Sequence, residues 1–363
     1  MKKKRKPNYK LRRDIAKVVI VILILIPIIF INRTKIIHAP LYIKYHKYND
    51  VLNSLYDCKY DNKDVDKLVT ELIKKKRLTE YTDDYILSLK DKGYNKNTIK
   101  YVLLNFKKAD IKTLINTKYN KDVEKMITLS YFDYELYDRY LDAKKDDEDI
   151  ERTVLKVDLD LDKENYSDTV EETNPDSLTA LVSKHRYISE DYVPSDLVDM
   201  SDDYANNYYR QLQLRSEAYE WFKKMVDDAK KEDIKFYAES GHRSFKFQKT
   251  LYNNYVNNYG QTKANMYAAK PGFSEHELGT AIDLANIYTI EEDDEEYKWI
   301  RKNGYKYGYI FRYTEKWQDL TGFAPESWHI RYVGVDVATT MHNENISFEE
   351  YWIKYVNTNK KKS

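Results

Sequence analysis

Ser274-Glu275-His276-Glu277-Leu278-Gly279-Thr280-Ala281-Ile282-Asp283 sets a histidine seven residues ahead of an aspartate, with a glycine between them. A second stretch, Glu326-Ser327-Trp328-His329, sets a glutamate three residues before a histidine. Together they offer two imidazole nitrogens, one carboxylate ligand and one carboxylate to spare. That is the inventory of a catalytic zinc site with a fourth position open to water. The first stretch reads as a turn entering a strand, and Trp328 to Val333 as a further strand.

Other metal chemistries fail on the residues present. His276-Glu277-Leu278-Gly279-Thr280 begins like the helical His-Glu-x-x-His motif, but Thr280 stands where the second histidine is needed. Asp158, Asp160 and Asp162 begin like a calcium loop. Its sixth position is Lys163 and its twelfth is Thr169, so the required glycine and glutamate are missing. Cys58 is the single cysteine, which excludes an internal disulfide and any cysteine-based zinc cluster.

The net charge of +1 over 363 residues hides an asymmetry. Residues 1–17 carry nine Lys/Arg and one Asp, leaving a mildly acidic body without a basic face, which argues against a nucleic-acid partner. Val18 to Ile31 is an uninterrupted apolar run of fourteen residues. At about 1.5 Å per residue it covers about 21 Å of a roughly 30 Å hydrocarbon layer, and flanking residues bring it nearer to spanning. Asn32-Arg33-Thr34-Lys35 follows, with no small-residue cleavage site. The expectation is a basic cytoplasmic tail over 1–14, an uncleaved transmembrane helix over 15–32, and the rest of the chain outside the cytoplasm.

Beyond that anchor, residues 33–63, rich in Tyr, Lys, Asn and Asp, read as an exposed stalk. Residues 64–145 have helical spacing, as in Leu68, Leu72 and Ile73, and read as a helical spacer. Within it, Gly93-Tyr94-Asn95-Lys96-Asn97 and Lys118-Tyr119-Asn120-Lys121-Asp122 resemble each other, 25 residues apart, as the turns of a short helical repeat would. Residues 146–177 read as a linker holding a strand, because Leu155, Val157, Leu159 and Leu161 alternate with Lys156, Asp158 and Asp160. A second domain spans 178–345, with 346–363 as a tail. In it, Leu214, Ala218, Trp221, Phe222 and Met225 share a helical face. Ile234, Phe236 and Ala238 alternate as a strand delivering Ser240-Gly241-His242-Arg243-Ser244, and a helix follows over 245–258. Glu291 to Glu296 reads as a solvated acidic loop. Strands and helices mixed this way predict an α+β domain, with a small antiparallel sheet and flanking helices.

Three ordered motifs, Ser240 to Ser244 with Gln248, Ser274 to Asp283, and Glu326 to Gly334, resemble the VanY-type zinc D-alanyl-D-alanine carboxypeptidases and the related LdcB L,D-carboxypeptidases, of the hedgehog/DD-peptidase fold. The family pattern is Ser-Gly-Tyr-Arg-Ser with a later Gln, Ser-x-His-x-x-Gly-x-Ala-x-Asp, and Glu-x-Trp-His-x-Arg-Tyr-Val-Gly. One departure is His242, where the family has tyrosine. The resemblance implies zinc ligands His276, Asp283 and His329, and Glu326 as general base. It implies Arg243 as oxyanion or substrate contact, Ser274 as partner of the substrate's terminal carboxylate, and Gln248 as support for the pocket. Glu275 and Glu277 flank His276 and compete for the base role. The implied substrate is a peptidoglycan stem peptide, trimmed of its terminal D-alanine at the outer face of the membrane. An L,D-carboxypeptidase, an endopeptidase and a non-catalytic wall-binding module are the alternatives.

Overall fold

The computed structural model describes residues 37–357. The expected cytoplasmic tail and transmembrane helix fall outside these residues. No helix among the described residues is long and apolar enough to cross a membrane. The chain divides into two compact units, meeting between Thr128 and Leu129.

The first unit is helical: α1 (Asn49–Asp57), α2 (Asn62–Lys74), α3 (Thr82–Lys92), α4 (Lys96–Asn105), α5 (Lys108–Asn116) and α6 (Lys121–Ile127). The stretch read as an exposed stalk is therefore partly helix, and Val51, Leu52 and Leu55 of α1 are buried. The two similar turns have matching roles. Asn95 and Asn120 cap α4 and α6 through their side-chain oxygens, and Tyr94 meets Tyr119 edge-on at 5.2 Å.

The second unit begins with α7 (Tyr137–Ala143) and α8 (Ile150–Asp158). Helix α8 corrects the strand expected at 155–161. Asp149 caps it by accepting from the Glu151 amide, and Ile150, Val154 and Val157 form its buried stripe. Two short pairings follow: β1 (Val170–Glu171) parallel to β2 (Arg186–Tyr187), and β3 (Leu197–Asp199) antiparallel to β4 (Gln213–Arg215). Helix α9 (Ser216–Lys231) comes next, so Leu214 belongs to β4 and not to the helical face it was read with.

The sheet that carries the chemistry has four strands: β5 (Tyr237–Ser240), β6 (Ala281–Ala285), β7 (Tyr309–Ile310) and β8 (His329–Tyr332). Their order is β5-β6-β8-β7, antiparallel throughout. Side chains alternate across a strand. Ile282, Leu284, Ile330 and Tyr332 accordingly enter a core with Phe222, Met225 and Ala238, while Asp283, His329 and Arg331 belong to the opposite face. Burying side chains of this size contributes about 1.5–3 kcal/mol each. The remaining helices are α10 (Phe245–Tyr259), α11 (Gln261–Tyr267), α12 (Glu295–Asn303), α13 (Gln318–Thr321), α14 (Val335–Glu344) and α15 (Phe348–Tyr351). The stretch read as a C-terminal tail is instead packed inward, with Phe348, Trp352 and Ile353 buried.

Candidate metal centre

Three segments converge on the face of the sheet opposite the core. Strand β5 ends at Ser240, and Gly241 then passes so close to β4 that a Cβ there would lie 2.5 Å from the Gln213 carbonyl, which only glycine avoids. His242 and Arg243 follow, and Ser244 caps α10 by accepting from the Phe247 amide. Ser274 opens a single 3-10 turn, Glu275–Leu278, through a capping box with Glu277. Gly279 closes that turn at φ 66°, where an added Cβ would meet Leu197 at 2.9 Å. The chain then enters β6, which carries Asp283. Glu326 precedes β8, and His329 is its first residue.

The turn presents His276, and its ring is fixed by a backbone acceptor. Its Nδ1–H donates to the Gly241 carbonyl at 2.8 Å. That leaves Nε2 as the bare nitrogen. It is buried without a hydrogen-bond partner, 3.3 Å from Asp283 Oδ1. His329 approaches the same oxygen with Nδ1 at 3.1 Å, while its Nε2 faces Glu275 Oε2 at 3.1 Å. One donor atom from each of His276, Asp283 and His329 lies within 4.8 Å of the others. Ligands at about 2.0–2.1 Å from a tetrahedral zinc stand about 3.3 Å apart. The buried, unpartnered Nε2 and the two short approaches to one carboxylate oxygen therefore fit a zinc ion. Asp283 has its second oxygen occupied, since Oδ2 accepts from Arg243 Nη2, and Arg243 Nε donates to Ser240 Oγ at 3.1 Å.

Electrostatics in the metal-free protein follow from burial and these contacts. Burial lowers His276 to about 4, with Arg243 adding to the effect. Burial also works against protonation of His329, but its hydrogen bonds to Asp283 and Glu275 outweigh that and hold it at about 9. Asp283 stays well below the carboxylate range, because His276 and Arg243 override its burial. Burial pushes Glu326 up to about 7; His329 opposes the shift and Asp283 adds to it. A dication in the site would hold Asp283 lower still and oppose the burial that raises Glu326.

The structure separates the three glutamates that the sequence leaves in competition for the base role. Both Glu277 oxygens accept from the Gly272 amide, and Oε1 also from that of Ser274. Glu275 is tied to His329, Arg331 and Arg312. Glu326 lines the cavity, and its Oε2 is 3.7 Å from His329 Nδ1. The cavity, about 430 Å³, is also lined by Arg243, Gln248, Ser274 and Trp328, with Tyr255, Tyr259, Tyr267 and Phe323 among its aromatic walls. Gln248 donates to the Ala269 carbonyl at 2.8 Å, which leaves its Oε1 buried and without a partner. Ser274 Oγ accepts from the His276 amide at 3.4 Å.

His242 and His342 stand outside the metal cluster; His342 stacks on Tyr305 at 3.7 Å. Sequence reasoning missed Arg312 and Glu349, both fully buried behind the site. Arg312 leaves a signal, a charged residue inside the otherwise apolar and aromatic run Ile310-Phe311-Arg312-Tyr313, whereas Glu349 sits in the mixed stretch Ile346-Ser347-Phe348-Glu349-Glu350 and leaves none.

An α+β domain with a histidine and an aspartate on one sheet face, a second histidine on the adjoining turn, and a spare carboxylate and an arginine beside them has the site of a metal-dependent hydrolase. Comparisons with known proteins narrow the class. The VanY family, described as D-alanyl-D-alanine carboxypeptidase, matches residues 211–335. The putative carboxypeptidase YodJ of Bacillus subtilis is 36% identical over 203 residues, which are 54% of this chain and 73% of that one. A D-alanyl-D-alanine carboxypeptidase of Enterococcus faecium is 35% identical over 189 residues, 50% of this chain and 59% of that one. Among solved structures, the LdcB LD-carboxypeptidase is 34% identical, with a TM-score of 0.49 over 53% of this chain and 92% of that one. The chain belongs to the VanY family and is a peptidase.

Proposed function

We propose that this chain is a zinc-dependent D-alanyl-D-alanine carboxypeptidase that removes the terminal D-alanine from peptidoglycan stem peptides. The observation that carries the reading is the buried, unpartnered His276 Nε2, aimed with His329 Nδ1 at one oxygen of Asp283, with Glu326 beside them. The VanY match, which covers every one of these residues, supports the substrate class.

Zinc held by His276, Asp283 and His329 would supply a Lewis acid that polarises the scissile carbonyl and acidifies the attacking water. Glu326 takes the water proton as the new C–O bond forms. The same carboxyl group then hands that proton to the leaving amine as the C–N bond breaks. Arg243, fixed at the end of β5 by Ser240 and Asp283, places a guanidinium beside the developing oxyanion. Ser274 and Gln248 line the cavity and provide hydroxyl and amide groups for the substrate's terminal carboxylate and neighbouring backbone.

The apolar run Val18–Ile31, preceded by nine positive charges, supports an anchor with the catalytic unit on the outer face, where stem peptides lie. The test is D-alanine release from pentapeptide and from tetrapeptide, by the full chain in detergent, with and without chelator. Chelator-sensitive release from pentapeptide is the expected result. Release from tetrapeptide alone would make the chain an L,D-carboxypeptidase. Release from neither, with one zinc bound per chain, would overturn the enzymatic reading in favour of a wall-binding module.

A further inference from the structure

Glu275 lies between a substrate-facing serine and a metal ligand, yet the reaction has no step for it. Its side chain is 1% exposed and its two oxygens have separate duties. Oε2 accepts from His329 Nε2 at 3.1 Å. Oε1 takes Arg331 Nη1 and, at 2.7 Å, Arg312 Nη1. Neither guanidinium is free to swing. Arg331 Nη2 donates to the carbonyls of Ala180 at 2.6 Å and Leu178 at 3.1 Å. Arg312 donates Nη2 to the Val182 carbonyl at 2.9 Å and Nε to Glu349 at 2.7 Å. Two buried glutamates thus face two buried arginines, a balanced set whose members would each be costly alone.

The two histidines of the metal centre present opposite nitrogens, Nε2 from His276 and Nδ1 from His329. For His276 a backbone carbonyl fixes that choice. For His329 the only acceptor at the far nitrogen, among the described residues, is Glu275. We infer that Glu275 is a positioning residue for the metal. Clamped by Arg312 and Arg331, it holds the His329 ring with Nε2 protonated, so that Nδ1 is the lone pair offered to zinc. A carboxylate in that place also makes the imidazole a stronger donor. The inference rests on the zinc reading above.

The test is zinc affinity, by competition with a chromophoric chelator, for the wild type, Glu275→Gln, Glu275→Asp and Glu326→Gln. Measurements are made well below each variant's thermal midpoint, so that a merely structural loss does not enter. Both Glu275 variants should bind zinc about 10–100-fold more weakly, while Glu326→Gln keeps wild-type affinity. Glu275→Asp guards against a folding failure, since it keeps the counter-charge for the arginines while withdrawing the carboxylate from His329. Wild-type affinity in a folded Glu275 variant would overturn the inference and leave the zinc reading intact. A wild type that takes up no stoichiometric zinc would overturn the zinc reading itself, and the inference with it.

Discussion

Asp283 and His329 are directly opposed across β6 and β8, and that pairing places His329 Nδ1 3.1 Å from Asp283 Oδ1. Opposed residues on antiparallel strands point to the same side of the sheet. Two of the three proposed metal ligands are therefore fixed by register, and only His276 depends on a turn. Ser240 opposes Asp283 on its other side, which brings Arg243 to the remaining carboxylate oxygen.

Replacing Asp283 should cost the metal and leave the sheet. Asp283→Asn keeps the size and the pairing but removes the charge that both histidines face. Direct ligands matter at least as much as the groups behind them, so zinc affinity should fall by at least about 100-fold. Zinc content by elemental analysis, with circular dichroism as the control for folding, measures this. Stoichiometric zinc in the variant would remove Asp283 from the ligand set.

Glu326 should separate binding from turnover. It touches the cavity and none of the three ligand contacts passes through it. Glu326→Gln keeps the shape and removes the proton acceptor. D-alanine release should drop about 10²–10⁴-fold at unchanged zinc content. A variant with full rate would return the base role to another group, although Glu275 and Glu277 are both held elsewhere.

The candidate site is more legible in the sequence than the surrounding fold, for a physical reason. Metal-binding and proton-accepting chemistry constrains residue type and position, so the proposed ligands His276, Asp283 and His329, with Gly279 and the proposed base Glu326, leave a pattern. The α8 segment leaves an ambiguous one. Leu155 to Leu161 alternates as a strand would, but the decisive stripe of Ile150, Val154 and Val157 starts before that window. Residues 49–57 hide three buried apolar side chains among Tyr, Asn and Asp. Arg312 and Glu349 belong to no motif, because any arrangement that neutralises Glu275 would serve, and only the folded chain brings 275, 312, 331 and 349 together.

Arg243 should be irreplaceable by lysine. Its guanidinium donates through Nε to Ser240 and through Nη2 to Asp283, a fork that an ammonium cannot reproduce. Arg243→Lys keeps the positive charge but loses the fixed direction toward the oxyanion. The expected result is a kcat lower by about 10²-fold, with KM changed far less, as for loss of one oxyanion donor. Steady-state kinetics on a pentapeptide would show it. An effect confined to KM would instead make Arg243 a ground-state contact.

Asp319 provides a pH test remote from the metal. Arg152 of α8 donates to both its oxygens, and Lys156 stands 3.0 Å from Oδ2. Burial works against its ionisation, but the hydrogen bonds from Arg152 and Lys156 prevail and hold it at about 2. The unfolded chain has this group near 3.9. A carboxyl whose pKa falls on folding releases protons as the chain folds, so its contribution to stability is complete above about pH 4. It is lost as pH drops through about 2. With 45% of the Asp319 side chain exposed, solvent screening keeps the contribution below about 1 kcal/mol. Asp319→Asn should therefore unfold at lower urea than the wild type at pH 7, and the gap should shrink toward zero as pH approaches 2. A gap that stays constant over that range would mean that packing of α8 on α13, and not the ion pair, accounts for it.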